Sequence, residues 1–233
     1  MVVRPARLNA VIAWLFMVGS ACFVLGSVPA YANAVGGTVD AVTYFVGSIF
    51  FTSASFCQLV QAQSPAMTGV EAMRQNIAGP VRFWGWLPHD RGWLAAASQF
   101  PGTLFFNVST LVAIAHNATV QQKEQHVWRP DFFGSTLFLV ASGFAIAALG
   151  LGFAVRLRSV GWWIAWVNMA GSVLFMWSAL ASFVLPSTGD LIDVRASVLG
   201  TLLGAVCFLA GAALMLPAWR QIPPTMGEAI SAD

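Results

Sequence analysis

The chain has 233 residues, of which 58% are hydrophobic and only 9% are charged. Soluble domains contain about 25% charged residues, so this composition excludes an ordinary soluble protein and indicates a membrane protein. The formal net charge of +2 is also too small to indicate nucleic-acid binding.

Six stretches of the chain lack Asp, Glu, Lys and Arg, and each exceeds the roughly 20 apolar residues that cross a bilayer. A backbone in lipid must satisfy its own hydrogen bonds, so each stretch is predicted to be helical. We therefore expect an all-α, polytopic bundle of six transmembrane helices, formed as a single domain over residues 1–220. The predicted helices lie near 9–31, 38–62, 95–116, 131–154, 160–186 and 194–218.

The first predicted helix has a second interpretation. Arg4 and Arg7, followed by an apolar run and the small residues of 30–34, resemble a secretory signal with its cleavage site. The apolar run 11–28 is longer than that of a usual signal. It also contains Gly19 and Phe23, a glycine and a phenylalanine at a spacing that recurs in the other predicted helices. We expect residues 1–34 to be retained as the first helix, with cleavage as the alternative.

The second predicted helix is the most polar, because Thr and Ser recur along it and Gln58 lies near its end. Its hydroxyls are predicted to bond to helix backbones, with the wall of a polar pathway as the alternative.

The connection 63–94 joins the second and third predicted helices, and its segment 82–93 combines Arg with Trp. Such residues suit the headgroup region of a bilayer, so an interfacial anchor is expected. The alternative is a docking surface for a protein partner or an anionic lipid. The predicted interfacial anchors are Arg82, Trp84, Trp86, Trp93, Trp162, Trp163 and Trp219.

The third and fifth predicted helices match more closely than the others. Gln99 precedes Gly102 by three residues, and Asn168 precedes Gly171 by the same spacing. This match favours duplicated hairpins formed by helices 2–3 and 4–5. Pro101 is predicted to distort the third helix, because a proline removes a backbone hydrogen bond. Residues 221–233 are predicted to form a disordered tail.

Lys and Arg are concentrated on one side of the predicted membrane. Eight of them lie in the two tails, the connection 63–94 and the loop between helices 4 and 5, and three lie on the other side. Because cytoplasmic loops carry the excess of Lys and Arg, both termini are predicted to be cytoplasmic in a bacterial inner membrane. The same reasoning makes 63–94 and 221–233 cytoplasmic.

One pattern recurs in all six predicted helices: Gly, a small residue at +1, Phe at +4, and small residues at +7 and +8. At about 100° per residue these positions share one helical face. Small residues let helices approach closely in lipid, so this stripe is predicted to form the helix contacts of a compact bundle. Its main members are Gly19, Phe23, Gly47, Phe51, Gly102, Phe106, Gly134, Phe138, Gly171, Phe175, Gly204 and Phe208.

Three carboxamide side chains lie well inside the third and fifth predicted helices. They either hold helices together, contributing around 0.6 kcal/mol each, or line a narrow polar seam that leads to carboxylates at the outer helix ends. The candidate polar seam consists of Gln99, Asn107, Asn168, Asp40 and Asp131.

Residue types that carry chemistry are scarce inside the predicted spans. No Asp, Glu, Lys or Arg occurs in mid-span, where a proton relay or ion pathway usually carries one. His89, His116 and His126 do not have the spacing of a metal site, and no pair of the three cysteines has redox or metal spacing. We therefore predict no catalytic residue, no cofactor and no metal, and we do not expect an enzyme.

The stretches 102–110, 128–135 and 162–168, with the Gly-Ser-x-x-Phe pattern in paired spans, resemble the YrhK-like membrane domain family. They are also similar to integral membrane proteins of actinobacteria that have no assigned function. The resemblance covers the second to sixth helices and implies a helical membrane fold without a known activity.

Two functions are compatible with these features. The first is a structural or partner-binding membrane protein, indicated by the packing stripe and the segment 82–93. The second is a small transporter or channel for a neutral or cationic solute, indicated by the polar second helix and the outer carboxylates. A filled bundle centre favours the first function, and a continuous cavity along Asn107 and Asn168 favours the second.

Overall fold

The protein is built almost entirely from helices. The computed structural model describes residues 1–68, 70–115, 119–150 and 155–218. Of these residues 77% are helical and almost none form strands, which confirms the all-α prediction.

Nine α-helices and two very short strands follow one another along the described residues. The strands are β1 (Val2–Val3) and β2 (Gly79–Pro80). The helices are α1 (Pro5–Gly26), α2 (Pro29–Val35), α3 (Gly37–Ala62), α4 (Val70–Gln75), α5 (Arg91–Ala113), α6 (Val120–Lys123), α7 (Arg129–Ala148), α8 (Val160–Ala181) and α9 (Val194–Ala218). A 3₁₀ turn at Pro65–Met67 and a π-helical turn at Glu124–Trp128 precede α4 and α7, respectively.

The six long helices α1, α3, α5, α7, α8 and α9 correspond to the six predicted ones, and most differences lie at their ends. The first helix ends at Gly26, because Pro29 cannot continue it and instead opens the separate helix α2. Gly36 then takes a positive φ of 81°, which glycine adopts without a Cβ clash, and α3 begins. The predicted ends of the third and fourth helices, and the predicted tail 221–233, lie outside the described residues.

Five segments are long and apolar enough to cross a membrane, and they include α1, α3, α7, α8 and α9. This finding indicates a multi-pass membrane protein. The predicted number of six spans is not confirmed, since α5 has the length but is not among the five. The polar Gln99, Pro101 and Asn107 lower its hydropathy.

The six long helices form a closed ring in which α1, α3, α5, α7, α8 and α9 each contact the next, and α9 contacts α1. Consecutive members of the ring are antiparallel. We call the end where α1 begins and α9 ends the terminal end, and the other end the opposite end. The amide of Asn9 closes the ring at the terminal end by donating to the carbonyl of Met215 at 3.0 Å.

The glycines of the stripe face one another in pairs. Gly19 lies against Gly47, and a Cβ added to either would come within 2.9 to 3.0 Å of the other's carbonyl oxygen. The pairs Gly102–Gly134 and Gly171–Gly204 pack in the same way, with a carbonyl oxygen 3.0 to 3.1 Å from an added Cβ. The packing units are therefore the hairpins α1–α3, α5–α7 and α8–α9, and not the predicted pairs of helices 2–3 and 4–5.

The stripe phenylalanines fill the centre of the ring. All six have side chains that are buried, and their rings contact one another edge to face or tilted. Phe51, Phe138 and Phe208 form a triangle facing the terminal end, with centroids 5.6 to 6.4 Å apart. The other three rings lie on the opposite side of this triangle. We call these six rings the phenylalanine layer.

The residue after each stripe glycine is completely buried. Three of these residues join neighbouring hairpins through their hydroxyls. Ser48 bonds to the Thr110 hydroxyl at 3.0 Å, Ser172 bonds to the Ser142 hydroxyl at 2.9 Å, and Ser135 donates to the carbonyl of Phe175 at 3.5 Å. The interface between α9 and α1 has no such bond among the described residues, and the hydroxyl of Ser20 is buried there without a partner. The stripe therefore packs all six helices, while its polar bonds vary between interfaces.

The outer wall of the ring is apolar, as a protein surrounded by lipid requires. Exposed large hydrophobic side chains occur on every long helix, including α5. Examples are Trp14, Ile49, Leu111, Phe133, Trp177 and Leu203.

Candidate functional site

The candidate polar seam does not form one continuous path. Gln99 and Asn168 line the same cavity at the terminal end. Asn107 lies between two helices, where its Oδ1 accepts a hydrogen bond from the hydroxyl of Thr52 at 3.1 Å. Asp131 lines cavities at the opposite end, and Asp40 lies in the first turn of α3. The five residues therefore divide into an amide pair, a helix–helix contact and two carboxylates.

The cavity at the terminal end has a volume of about 260 Å³. Four carboxamides from four different helices line it: Asn9 from α1, Gln58 from α3, Gln99 from α5 and Asn168 from α8. Its inner boundary includes Phe51, Phe138 and Phe208, the triangle of the phenylalanine layer. No charged residue lines it among the described residues. We call this space the carboxamide cavity.

The spacing from the stripe phenylalanines explains why these amides meet. Gln99 and Asn168 each precede their phenylalanine by seven residues, and Gln58 follows Phe51 by seven residues. Because α3 runs antiparallel to α5 and α8, a residue seven positions after Phe51 lies at the same height in the bundle as residues seven positions before Phe106 and Phe175. On α1 and α9 this level is occupied by Phe16 and Met215, which also line the cavity.

Two members of the cavity, Asn9 and Gln58, were not among the candidate site residues. Gln58 could have been found by counting seven residues from each stripe phenylalanine toward the terminal end, which is forward along α3 and backward along α5 and α8. Asn9 lies about two helical turns before Phe16, farther from the phenylalanine layer than the other three amides. Only the packing of α1 against α9 brings it to the cavity.

A second cavity system lies at the opposite end of the bundle. A small cavity of about 120 Å³ adjoins Phe23, Phe106 and Phe175, and a wider one of about 490 Å³ lies beyond it. Asp131, Ser178 and Thr201 line both.

Hydroxyls dominate this opposite end. Ser178 bonds to the hydroxyl of Thr201 at 2.7 Å and donates to the carbonyl of Ser197 at 2.7 Å. Within the described part of the chain, the carboxylate of Asp131 forms neither a hydrogen bond nor an ion pair, although it lies beside these hydroxyls in the cavity wall. The opposite end therefore offers one carboxylate and several hydroxyls.

The phenylalanine layer separates the two cavity systems. Phe208 of the terminal triangle contacts Phe175 with centroids 5.0 Å apart, and Phe138 contacts Phe106 at 5.2 Å. Because rings from all six helices meet at this level, the bundle centre is filled and not hollow.

The predicted interfacial anchors occupy different environments. Trp84 and Trp86 are 84% and 72% exposed, and Arg82 is also exposed. Trp93 is buried at the start of α5 and packs against Trp86 at 5.5 Å. On α8, Trp162 packs edge to face against Trp163, whose indole donates to the carbonyl of Leu157. Trp219 lies outside the described residues.

The described residues contain no group of three or more His, Cys, Asp or Glu side chains that could hold a metal ion. The three cysteines are free thiols in separate helices. Comparison of the chain with protein-family models, with curated proteins and with solved structures finds no match.

Proposed function

We propose that the protein is a six-span protein of the bacterial inner membrane with a structural, partner-binding role and with both termini in the cytoplasm. The observation that carries this proposal is the exposed aromatic segment 82–87 at the terminal end, which hydrogen bonds hold to the closed bundle. Membership of the YrhK-like family stays a prediction from the sequence motifs, and the proposal includes neither a cofactor nor an enzymatic reaction.

The position of α5 supports a sixth span. It packs between α3 and α7 in the ring, and it exposes Leu104, Val108 and Leu111 on the outer wall. Its amides Gln99 and Asn107 point away from this wall, toward the carboxamide cavity and toward Thr52 respectively. A helix of moderate hydropathy can cross a membrane when its polar side chains face other helices.

The connection between α3 and α5 is held to the bundle by specific hydrogen bonds. Gln63 donates to the carbonyl of Arg82 at 3.0 Å, and the Arg82 amide donates to the Ser64 hydroxyl at 2.8 Å. The pair β1–β2 joins the N-terminal residues to the same connection. Asp90 then caps α5 by accepting from the amide of Trp93 at 2.8 Å. The segment between Arg82 and Asp90 is therefore fixed at both ends.

Between these fixed ends, Phe83, Trp84 and Trp86 are 59%, 84% and 72% exposed. We call residues 82–87 the aromatic surface. Seven exposed arginines share this end of the bundle among the described residues: Arg4, Arg7, Arg74, Arg82, Arg91, Arg156 and Arg158. Exposed aromatic and Arg side chains are the residues that protein interfaces favour. We propose that the partner is a protein with an acidic surface, because a folded, positively charged patch can complement one.

The alternative function, a transporter or channel, receives less support. The phenylalanine layer separates the cavities at the two ends, and Asn107 bonds to Thr52 instead of lining either one. A solute would pass only if rings on several helices moved apart.

Site-specific photocrosslinking in native membranes tests the partner-binding proposal. A photoreactive phenylalanine derivative in place of Trp84 should yield one discrete protein adduct, and Arg82→Glu should reduce its yield by reversing a charge at the interface. The matched control carries the same derivative in place of Trp177, which is 42% exposed on the wall of α8. Lipid adducts alone at position 84 would show that the aromatic surface is a membrane anchor. The same protein adducts at both positions would show non-specific crosslinking and would also contradict the proposal.

A further inference from the structure

The carboxamide cavity contains hydrogen-bonding groups that the protein does not use. The Oε1 atom of Gln58 is buried without a partner. The side chains of Gln99 and Asn168 also form no hydrogen bond among the described residues, and Asn9 uses only its Nδ2, which donates to Met215. Leaving a buried polar group unpaired costs stability, so the Oε1 atom of Gln58 calls for an explanation. The amides of Gln99 and Asn168 are half-buried and offer further unused hydrogen-bonding groups to the same cavity.

Asn107 shows how the same type of side chain is treated elsewhere in the bundle. Its Oδ1 accepts from Thr52, so this amide joins α3 to α5. The bundle therefore pairs an amide where the amide holds helices together. The amides of the carboxamide cavity converge on the same space from four helices instead, which is the arrangement of a binding site.

One of these amides is held in place by close backbone packing. The side chain of Asn168 lies against Gly211 on α9, where an added Cβ would come within 2.4 Å of its Oδ1. Any larger residue at position 211 would displace the amide. The position of Asn168 at the cavity wall is thus built into the contact between α8 and α9.

The lining limits the chemistry of a ligand. A carboxamide offers one acceptor oxygen and an NH₂ donor but no charge, so the cavity can satisfy donors and acceptors of an uncharged molecule. A charged ligand would lose its hydration without gaining a counter-ion. The three phenylalanines of the inner boundary favour an apolar body, and aromatic rings pack well against one another.

The volume limits the size of the ligand. A dry cavity of about 150 Å³ already holds a benzene molecule. The carboxamide cavity, at about 260 Å³, has room for one ring together with a polar substituent. It is smaller than the roughly 300 to 1,000 Å³ of pockets for drug-sized ligands.

We propose that the carboxamide cavity binds a small uncharged molecule that carries a hydrogen-bond donor and an acceptor side by side on a single flat, apolar ring. Gln58, Gln99 and Asn168 supply the hydrogen bonds, and Phe51, Phe138 and Phe208 contact the ring. This site is independent of the partner-binding role, since it lies inside the bundle and shares no residue with the aromatic surface.

Binding of three probes of similar shape to the purified full-length protein in lipid nanodiscs tests this proposal. Benzamide should bind saturably in calorimetric titration. Benzoate has the same shape but a charge, and ethylbenzene lacks the hydrogen-bonding group, so both should bind at least about tenfold more weakly. No saturable benzamide binding up to about 10 mM, which corresponds to a very weak affinity, would overturn the proposal. Equal affinity for benzoate or for ethylbenzene would also overturn it.

A substitution at Gln58 separates recognition from structure. Gln58→Met keeps the size of the side chain but removes the unpaired acceptor, so the unliganded protein should unfold at an equal or higher temperature. Its affinity for benzamide should fall about two- to tenfold, the effect of one lost hydrogen bond. Asn107→Leu is the matched control, and it should lower the unfolding temperature without changing benzamide affinity.

Two results with these variants would overturn the proposal. If Gln58→Met destabilises the unliganded protein and leaves benzamide affinity unchanged, Gln58 is a packing residue and the proposal is wrong. If Asn107→Leu weakens benzamide binding as much as Gln58→Met does, the effect is a general loosening of the bundle, and the cavity is not the site.

Discussion

The two ends of the bundle are built from the same six helices but differ in chemistry. The terminal end has a cavity lined by four carboxamides and no charged residue among those described. The opposite end has hydroxyls around the carboxylate of Asp131. Between the two ends, each of the six long helices contributes one stripe glycine and one stripe phenylalanine to a single layer. The repeated positions therefore determine how the helices pack, while the positions outside the repeat determine which polar groups line each end.

The largest effect is expected when the layer between the ends is broken. Phe138→Ala removes a ring that is 2% exposed and contacts Phe51, Phe106 and Phe208. Truncation of a buried Phe costs about 3–5 kcal/mol of unfolding free energy and would here leave a cavity between the two ends. Reversible unfolding in detergent micelles measures the loss.

Phe133→Ala is the control for this change, because Phe133 lies on the same helix and is 51% exposed on the outer wall. It should cost much less than Phe138→Ala. Equal losses for the two variants would mean that the phenylalanine layer is not the core of the bundle.

A smaller loss is expected from crowding one helix pair beside the layer. In Gly204→Ala the new Cβ would come within 2.3 Å of the ring of Phe175 and 3.1 Å of the Gly171 carbonyl oxygen. Overpacking of this kind costs about 1–3 kcal/mol. Gly143→Ala is the matched change, since nothing lies within 4 Å of its added Cβ. That variant should be as stable as the parent or up to about 1 kcal/mol more stable.

The midpoints of thermal unfolding of both glycine variants, measured in the same detergent, check this prediction. If Gly204→Ala unfolds at the parent temperature, the hairpin α8–α9 tolerates wider spacing, and close glycine contact is not what holds it.

The smallest effect concerns two serines at the same position of the stripe. Ser172 bonds to Ser142 and to the carbonyls of Phe138 and Asn168, whereas the buried hydroxyl of Ser20 has no partner. Ser172→Ala should therefore cost about 0.6 to 1.7 kcal/mol, the range for polar contacts between membrane helices. Ser20→Ala should be neutral or slightly stabilising, as Ala205 already occupies this position on α9.

Unfolding free energies of the two serine variants decide this comparison. A larger loss for Ser20→Ala would contradict it and would show that the interface between α1 and α9 depends on that hydroxyl.

Much of the fold followed from the sequence, because in a membrane the apolar stretches and the small residues carry the packing signal. The helices α3, α8 and α9 begin within one residue of their predicted starts. The stripe residues all lie inside the bundle, as their shared helical face required. The hydropathy of α5 was overestimated, since a run without charges still contained two amides and a proline.

The residues of the candidate site could be predicted from the sequence only in part. The sequence drew attention to Gln99 and Asn168 through their common distance from a stripe glycine. It assigned Asn107, Asp40 and Asp131 to the same seam, because position along a helix does not show which neighbour a side chain meets. Asn107 meets Thr52, and the two carboxylates lie on the other side of the phenylalanine layer from the amides.

By itself the sequence determined the helices, their apolar outer wall and the face by which they pack, since each depends on composition and on a period of about 3.6 residues. Only the tertiary structure decided which helices pair and that the ring closes between α1 and α9. It also brought Asn9 and Gln58 to the cavity of Gln99 and Asn168. The reason is that contacts between antiparallel helices depend on the order and level at which the helices meet, and no local pattern along the chain records either.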